Sequence, residues 1–191
     1  MSKSKQRILN TASNLFSEFG FLGVSMEDIA RRLKLTKAAL YYHFESKKEL
    51  YLQVLEKSFQ DLISTIDKQI SKTKSSKQLI PQLIETYLDF GLKEKNLIRV
   101  LNLKSPDIDP GITSYIIKLR RQVNQHFQTS LKKWFKKDLA GKINLQFIIS
   151  SLLAMMDRLI IESSLFNKKL NTRKESSRIL KFIKPILKVE S

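Results

Sequence analysis

The sequence predicts an all-α protein of about nine helices. Of its 191 residues 42% are hydrophobic, and only five are glycine and four proline. Apolar residues recur at spacings of three and four along most of the chain, and little of it alternates as a strand would. The length suits one large domain, or two smaller domains that share a connecting helix.

The first two helices are predicted from an apolar stripe and from capping residues. Gly20 ends the first helix, at a position where a left-handed C-cap is expected. Ser25 can cap a short second helix, whose first turn carries Glu27 and Asp28 and which ends near Leu33. The stripe of the first helix consists of Ile8, Ala12, Leu15, Phe16 and Phe19.

A tight turn at residues 34–35 leads into the third helix. Thr36 can cap this helix, Leu35 and Leu40 occupy the positions of a hydrophobic staple, and Phe44 continues the buried stripe. The two short helices and their turn therefore form a compact pair.

A long fourth helix is predicted to leave this pair. Ser46 and Glu49 have the spacing of a capping box, and apolar residues then recur as far as Ile66. Loops are expected at 71–77 and 104–111. Further helices are expected over residues 81–91, 93–103, 112–137, 142–166 and 172–189.

The composition excludes several classes of site. The chain has no cysteine and two histidines, so disulfides, thiolate metal sites and cysteine nucleophiles are excluded. We find no paired carboxylates at helical metal-ligand spacing with a histidine nearby, and we therefore expect neither an enzyme nor a cofactor. No apolar run has the length of a signal peptide or of a membrane span, which predicts a cytoplasmic protein.

The segment at residues 25–44, SMEDIARRLKLTKAALYYHF, resembles the helix-turn-helix of the TetR family of bacterial regulators. FGFLGVSMEDIA at 19–30 and SKKEL at 46–50 extend the resemblance over about residues 5–55. It implies a helix-turn-helix DNA-binding domain at 1–47, followed by a helical effector-binding and dimerisation domain at 48–191. The family often has glycine where Lys34 stands and a small-Thr pair at Ala38 and Ala39, so the operator sequence does not follow from the resemblance.

The resemblance also implies which residues contact double-stranded DNA. Residues in the phosphate-contacting positions are Ser25, Thr36, Tyr41, Tyr42, His43 and Lys47, and those in the base-reading positions are Lys37, Ala38 and Ala39. Lys37 can donate to guanine O6 and N7, whereas an alanine can only touch a thymine methyl group. Two alternatives stay open: Tyr41 as a partly buried core residue, and His43 as a packing histidine.

The net charge of +17 indicates an anionic partner. Residues 1–50 carry nine Lys/Arg and five Asp/Glu, a net of +4, so most of the excess lies beyond the helix-turn-helix. The charge thus supports long-range attraction to DNA without locating the contact surface. Solvated lysine-rich helix faces also explain the excess.

A homodimer is expected because one short helix offers too few contacts for a specific site. Such proteins pair two reading heads about 34–36 Å apart on a pseudo-palindrome. By resemblance, the last two helices build the interface, and burial in the core of one subunit is the alternative. The candidate interface residues are Leu152, Leu159, Phe182, Ile183 and Ile186.

A small-molecule effector of unknown identity, held among the middle helices, is also implied by the resemblance. It would move the fourth helix and change the spacing of the two heads. Asp157 and Arg158 either orient a polar ligand group or form a partly exposed ion pair at the subunit boundary. The candidate pocket residues, for which ordinary core is the alternative, are Phe59, Ile63, Tyr87, Phe90, Tyr115, Leu119, Phe127, Phe147, Met155 and Met156.

The function predicted from these features is transcriptional regulation, as a repressor that an apolar or amphipathic ligand releases from its operator. Three alternatives remain: an activator, a chromosome or division factor with the same DNA-binding head, and a membrane-surface protein that uses its basic final helix. We expect no stable membrane association.

Overall fold

The computed structural model describes residues 2–102, 109–132 and 145–187, and within these ranges it contains nine helices and no strand. The all-α prediction is confirmed. In chain order the helices are α1 (Lys3–Phe19), α2 (Met26–Leu33), α3 (Lys37–Tyr41), α4 (Lys47–Lys72), α5 (Ser76–Lys93), α6 (Lys95–Asn102), α7 (Pro110–Lys132), α8 (Leu145–Leu165) and α9 (Thr172–Leu187).

Helices α1 to α3 form the head of the molecule. Ala12 and Phe16 of α1 are fully buried, and the rings of Phe16 and Tyr51 meet edge to face at 4.9 Å, which extends the head core into α4. Gly20 ends α1 with φ 74°, and its N–H donates to the carbonyl of Phe16. Phe19, predicted in the stripe, is instead 55% exposed, because it lies in the last turn beyond the packed part of α1.

Helix α4 connects the head to the body, which consists of α5 to α9. Its 26 residues pack against α1 in the head and against α5 and α7 in the body. In the body α5 packs against both α8 and α9, and the Ser176 hydroxyl of α9 donates to the carbonyl of Pro81 at 2.7 Å. A displacement within the body can therefore reach the head through one continuous helix.

Several predicted boundaries differ from the observed ones. Helix α5 begins five residues before Pro81, which lies inside the helix, and the loop before it shortens to 73–75. Helix α3 ends at Tyr41, and Phe44 follows in a turn where its N–H donates to the carbonyl of Leu40. The predicted helical stretches 133–137, 142–144 and 188–189 and most of the predicted loop 104–111 lie outside the described residues.

Candidate functional site

Helix α3 has one buried side and one exposed side. Leu40 in the helix and Phe44 just after it have no exposed surface and fix α3 against the head core. Lys37 and Ala38 are exposed, and Tyr42 is 86% exposed. The buried side of α3 therefore packs within the head, and its exposed side presents a polar and aromatic surface that can contact another molecule.

The N-terminus of α3 is held by Thr36. Its hydroxyl accepts a hydrogen bond from the N–H of Ala39 at 3.2 Å. The Lys37 ammonium lies 6.0 Å from the centroid of the Tyr41 ring, and Tyr41 is 44% exposed. Lys37 and Tyr41 therefore share one side of the helix, next to Ala38, whose small side chain lets another molecule approach the backbone.

The end of α3 contains an aromatic pair. The rings of Tyr42 and His43 meet edge to face with centroids 5.1 Å apart, and His43 is half-buried. Ala39 is half-buried as well, so it presents less surface than Ala38. His43 thus supports the orientation of Tyr42, a role that agrees with the packing alternative.

Ser25 caps the N-terminus of α2 and is already engaged within the head. Its Oγ accepts from the N–H of Asp28 at 3.1 Å and donates to Asp28 Oδ2 at 2.6 Å, while its own N–H donates to the same Oδ2 at 2.9 Å. These hydrogen bonds from Ser25, aided by the nearby Arg31 charge, lower the pKa of Asp28 below its usual value. The Ser25 hydroxyl proton is therefore not free in this conformation.

The turn between α2 and α3 contains a left-handed lysine. Lys34 has φ 56° and ψ 42°, a conformation that glycine adopts with little cost and that a residue with a Cβ adopts rarely. The N–H of Leu35 donates to the carbonyl of Ala30 at 2.9 Å, and Arg7 donates from Nη2 to the carbonyl of Leu33. Leu35 is 39% exposed, so the predicted staple position is only partly covered.

Lys47 binds the loop that precedes α2. Its ammonium donates to the carbonyls of Phe21 and Val24, both at 3.0 Å, and lies 4.3 Å from the centroid of the Phe21 ring. The predicted phosphate ligand is thus also a brace between α4 and the head. Sequence reasoning missed this contact, and it missed the ion pair of Lys48 with Asp109 at 2.7 Å, because both partners are distant along the chain.

The body contains an apolar cavity of about 30 Å³ between α5, α7 and α8. Only Phe127 and Met156 of the ten predicted pocket residues line it. The other lining residues are aliphatic, with nothing in the sequence to separate them from ordinary core: Ile80, Leu83, Ile84, Leu131, Ile149, Leu152 and Leu153.

The other eight predicted pocket residues lie elsewhere. Phe147 is 71% exposed and is not a cavity residue in this subunit, because it lies in the first turn of α8. Tyr115 hydrogen-bonds through its hydroxyl to the Glu56 carboxylate of α4. Phe59, Tyr87 and Leu119 are buried core, and the partly buried residues packed against that core are Ile63, Phe90 and Met155.

Asp157 and Arg158 do not pair with each other. Asp157 is buried and accepts hydrogen bonds of 2.6 Å from both the Tyr87 hydroxyl and Arg120 Nη1. Arg158 is exposed and pairs with Glu162 one turn further along the same helix. An ion pair between Asp157 and Arg158 themselves is contradicted, because adjacent residues on a helix point in different directions, and each forms an ion pair with another partner.

The predicted interface residues divide between core and surface. Ile183 is only 3% exposed and belongs to the core of the subunit, whereas Phe182 is 64% exposed. Leu152 and Leu159 are partly buried, and the side chain of Ile186 lies outside the described residues. Of the four whose side chains are described, Phe182 is the residue most available to a second subunit.

The head also matches a known family. A sequence model described as "Bacterial regulatory proteins, tetR family" matches residues 8–54, which span most of α1, all of α2 and α3, and the start of α4. IcaR of Staphylococcus aureus, named a negative transcriptional regulator of the biofilm operon icaADBC, is 29% identical over 145 residues, which are 73% of this chain and 77% of IcaR. The sequence of the head, residues 8–54, thus matches the TetR family of bacterial regulators. This match and the likeness to IcaR indicate a DNA-binding transcriptional regulator.

Two further similar proteins extend the comparison. FasR of Mycolicibacterium smegmatis, named a transcriptional activator, is 34% identical over 84 residues, or 44% of this chain and 38% of FasR. The structure of FadR from Bacillus subtilis in complex with stearoyl-CoA has a TM-score of 0.77, at 13% identity, over 93% of this chain and 96% of FadR. The FadR likeness establishes a shared fold that includes the body.

In the described ranges, none of the helices is both long enough and apolar enough to cross a membrane.

Proposed function

We propose that this chain is a TetR-family repressor that binds a pseudo-palindromic operator as a homodimer and is released by a small apolar or amphipathic ligand. The observation that carries the DNA-binding part is the division of α3 into a buried side, Leu40 with Phe44, and an exposed side with Lys37 and Tyr42. A recognition helix requires this division, because one side must pack while the other enters a major groove about 12 Å wide.

Each residue of the site has a proposed role. Lys37 reads a base edge, and Ala38 and Ala39 allow close approach or touch a thymine methyl group. Phosphates are contacted by residues at the rim of this surface, namely Ser25, Thr36, Tyr41, Tyr42, His43 and Lys47. The head at 1–47 carries these contacts, while the helices at 48–191 carry the dimer and effector functions. We assign no catalytic role to either part.

Repression is favoured over activation by the relative that covers more of the chain. IcaR is named a negative regulator and matches 73% of this chain, whereas the activator FasR matches 44% of it. A reporter gene placed downstream of the operator, once the operator has been selected from a random DNA pool, distinguishes repression from activation. Genome-wide occupancy distinguishes a promoter regulator, with few sites, from a chromosome factor with many dispersed sites.

The homodimer is supported by large apolar side chains exposed on α8 and just beyond it, and on α9. Phe147 is 71%, Leu165 64%, Phe166 62% and Phe182 64% exposed. Exposed apolar surface of this kind is typical of an interface between subunits. Sedimentation of the wild type and of Phe182→Asp tests the proposal: the variant should shift toward monomer, while an exchange of the exposed Lys181 for Asp should not.

The effector proposal rests on the apolar cavity. At about 30 Å³ the cavity is far smaller than a small-molecule pocket, so a ligand there must separate α5, α7 and α8. Helix α4 packs against both α5 and α7, so this separation would move the head. Because FadR binds stearoyl-CoA, a long-chain acyl compound is the first candidate ligand.

One experiment tests the DNA-binding proposal, and a second tests the effector. Selection of bound duplexes from a random pool, at a stated salt concentration, should yield two half-sites related by a pseudo-two-fold axis. Stearoyl-CoA should then raise the melting temperature and weaken binding to the selected duplex. A selection without any enriched site contradicts the first proposal, and a ligand that stabilises the protein without weakening DNA binding contradicts the second.

A further inference from the structure

A polar cleft lies between the head and the body, separate from the apolar cavity. Its volume is about 310 Å³, in the size range of small-molecule sites. Helices α1 and α4 form its walls, together with the residue between α5 and α6. The polar residues lining it are Asn10, Ser13, Asn14, Lys57, Ser58 and Glu94.

The cleft contains a carboxylate whose charge is not balanced by a cation in the described part of the chain. Glu94 Oε2 accepts a hydrogen bond of 3.1 Å from the Ser58 hydroxyl. Ser58 is only 7% exposed, so this hydrogen bond holds the carboxylate in place. The Lys57 ammonium is directed instead to Asp61, at 2.8 Å. Of the two charged residues that line the cleft, Lys57 is therefore paired with a carboxylate outside it, and Glu94 has no charged partner in the described ranges.

The opposite wall, on α1, offers hydrogen-bonding groups. The side chains of Ser13 and Asn14 form no hydrogen bond to other described residues, and both line the cleft. Asn10 accepts from Gln6 through Oδ1, which leaves its amide nitrogen available. Hydroxyl and amide groups in this position can donate to or accept from a hydroxylated ligand.

We propose that this cleft binds a small organic cation that carries hydroxyl groups, with its ammonium on Glu94 and its hydroxyls on Ser13 and Asn14. A charge-assisted hydrogen bond to a fixed carboxylate favours a cation, and the α1 side chains favour hydroxyls. Such a ligand contacts the head through α1, the connecting helix α4, and Glu94 between α5 and α6 at the same time. If the ligand binds one position of α1 relative to Glu94 more tightly than another, it shifts the head toward that position. A shift of the head changes the affinity for DNA. This second site differs from the apolar effector cavity in place and in ligand chemistry.

Calorimetry with two sugars tests the ligand class. D-glucosamine should bind the full-length protein, whereas D-glucose, which has a hydroxyl in place of the ammonium group, should not. Glu94→Gln should weaken glucosamine binding at least tenfold, because the amide keeps the shape but loses the charge. Glu18→Gln, on the exposed surface of α1, should leave it unchanged. Equal glucosamine affinities for the wild type and Glu94→Gln would overturn the assignment.

A second test needs no ligand, because the chain has no cysteine of its own. Ser13→Cys is labelled with a cationic and with an anionic methanethiosulfonate, and the ratio of the two rates is measured. Adding Glu94→Gln should lower the ratio of the cationic to the anionic labelling rate at least threefold at Ser13→Cys. The same ratio should stay unchanged at the exposed Ser64→Cys. A ratio that does not respond to Glu94 would overturn the electrostatic argument.

The labelled proteins also test the coupling to DNA. The cationic label on Ser13→Cys should change affinity for the selected operator at least fivefold, and the label on Ser64→Cys less than twofold. Unchanged affinity after complete labelling of Ser13→Cys would overturn the coupling. If the unlabelled protein does not bind DNA at all, that result counts against the proposed function and not against the cleft. Glucosamine binding and the labelling rates do not require DNA binding, so they test the cleft independently.

Discussion

The carboxylate of Asp157 on α8 lies 2.6 Å from Arg120 Nη1 on α7, where only 2% of the Asp157 side chain is exposed. The hydroxyl of Tyr87 on α5 donates to the other oxygen of the same carboxylate. Burial, together with the neighbouring Asp157 charge, raises the pKa of Tyr87 well above its usual value, so the phenol stays protonated and continues to donate. These contacts join the three helices that line the apolar cavity.

Asp157→Ala should destabilise the protein strongly. The substitution leaves Arg120 without its counter-charge and the Tyr87 hydroxyl without its acceptor. Breaking a fully buried pair typically costs about 3–5 kcal/mol of unfolding free energy, and the 21% exposure of Arg120 places this loss toward the lower end of that range. The adjacent Arg158→Ala removes an exposed ion pair with Glu162 and should cost at most about 1 kcal/mol. Urea denaturation measures both variants, and similar small losses for the two would contradict the structural role of the buried pair.

Lys34→Gly should stabilise the protein. The left-handed conformation at φ 56° costs a residue with a Cβ about 1–2 kcal/mol, and glycine avoids this cost. Because glycine also makes the unfolded chain more flexible, we expect a net gain of about 1 kcal/mol at most. Lys34→Ala keeps the Cβ and is the matched control, for which no gain is expected. A melting temperature that rises equally for both variants would show that charge, not conformation, is responsible.

Lys47→Met separates the two roles of this lysine. Loss of the hydrogen bonds to the carbonyls of Phe21 and Val24 should lower the stability of the head by about 1–3 kcal/mol. If Lys47 also contacts a phosphate, the slope of log K against log salt should fall in magnitude by about 0.9. A stable variant with an unchanged slope would contradict both roles, and a destabilised one with an unchanged slope would leave only the brace.

The cap of α2 should give a pH-dependent signal that depends on Ser25. The lowered pKa of Asp28 means that its contribution to stability is present above the usual carboxyl value of about 3.9 and is lost as the pH falls through the lower, folded-state value. Ser25→Ala removes the side-chain hydrogen bond that contributes most to this shift, so the Asp28 midpoint should rise. An NMR titration of the Asp28 carboxyl that gives the same midpoint in both proteins would contradict the assigned cause.

The features that the sequence predicted well are local ones. Ser25, Thr36 and Ser46 each cap the helix that follows, since a cap needs only a side-chain oxygen and an N–H three residues later. Even at Ser46 the prediction was partial: the Glu49 carboxylate accepts from the N–H of Glu45, one residue before the position a capping box requires. The residues carrying the family resemblance lie in the same local segment.

The features that the sequence could not predict depend on contacts between distant parts of the chain. Asp157 accepts hydrogen bonds from residues 37 and 70 positions away in the sequence. Arg158, beside it, has almost the same sequence neighbours but lies on the exposed side of the helix. The small apolar cavity is lined mainly by aliphatic residues whose spacing is that of any buried helix. The polar cleft depends on the packing of α1 beside α4 and Glu94, which no spacing within either helix specifies.

The most direct test measures binding of the wild type and of Lys37→Ala to the selected operator and to a scrambled duplex, at one stated salt concentration. The exposed position of Lys37 predicts an unchanged melting temperature. Base reading predicts a loss of about 1–3 kcal/mol on the operator and a smaller loss on the scrambled duplex. A wild-type protein that binds neither duplex at low ionic strength would contradict the account that the exposed side of α3 recognises DNA, and equal losses on both duplexes would make Lys37 a phosphate contact.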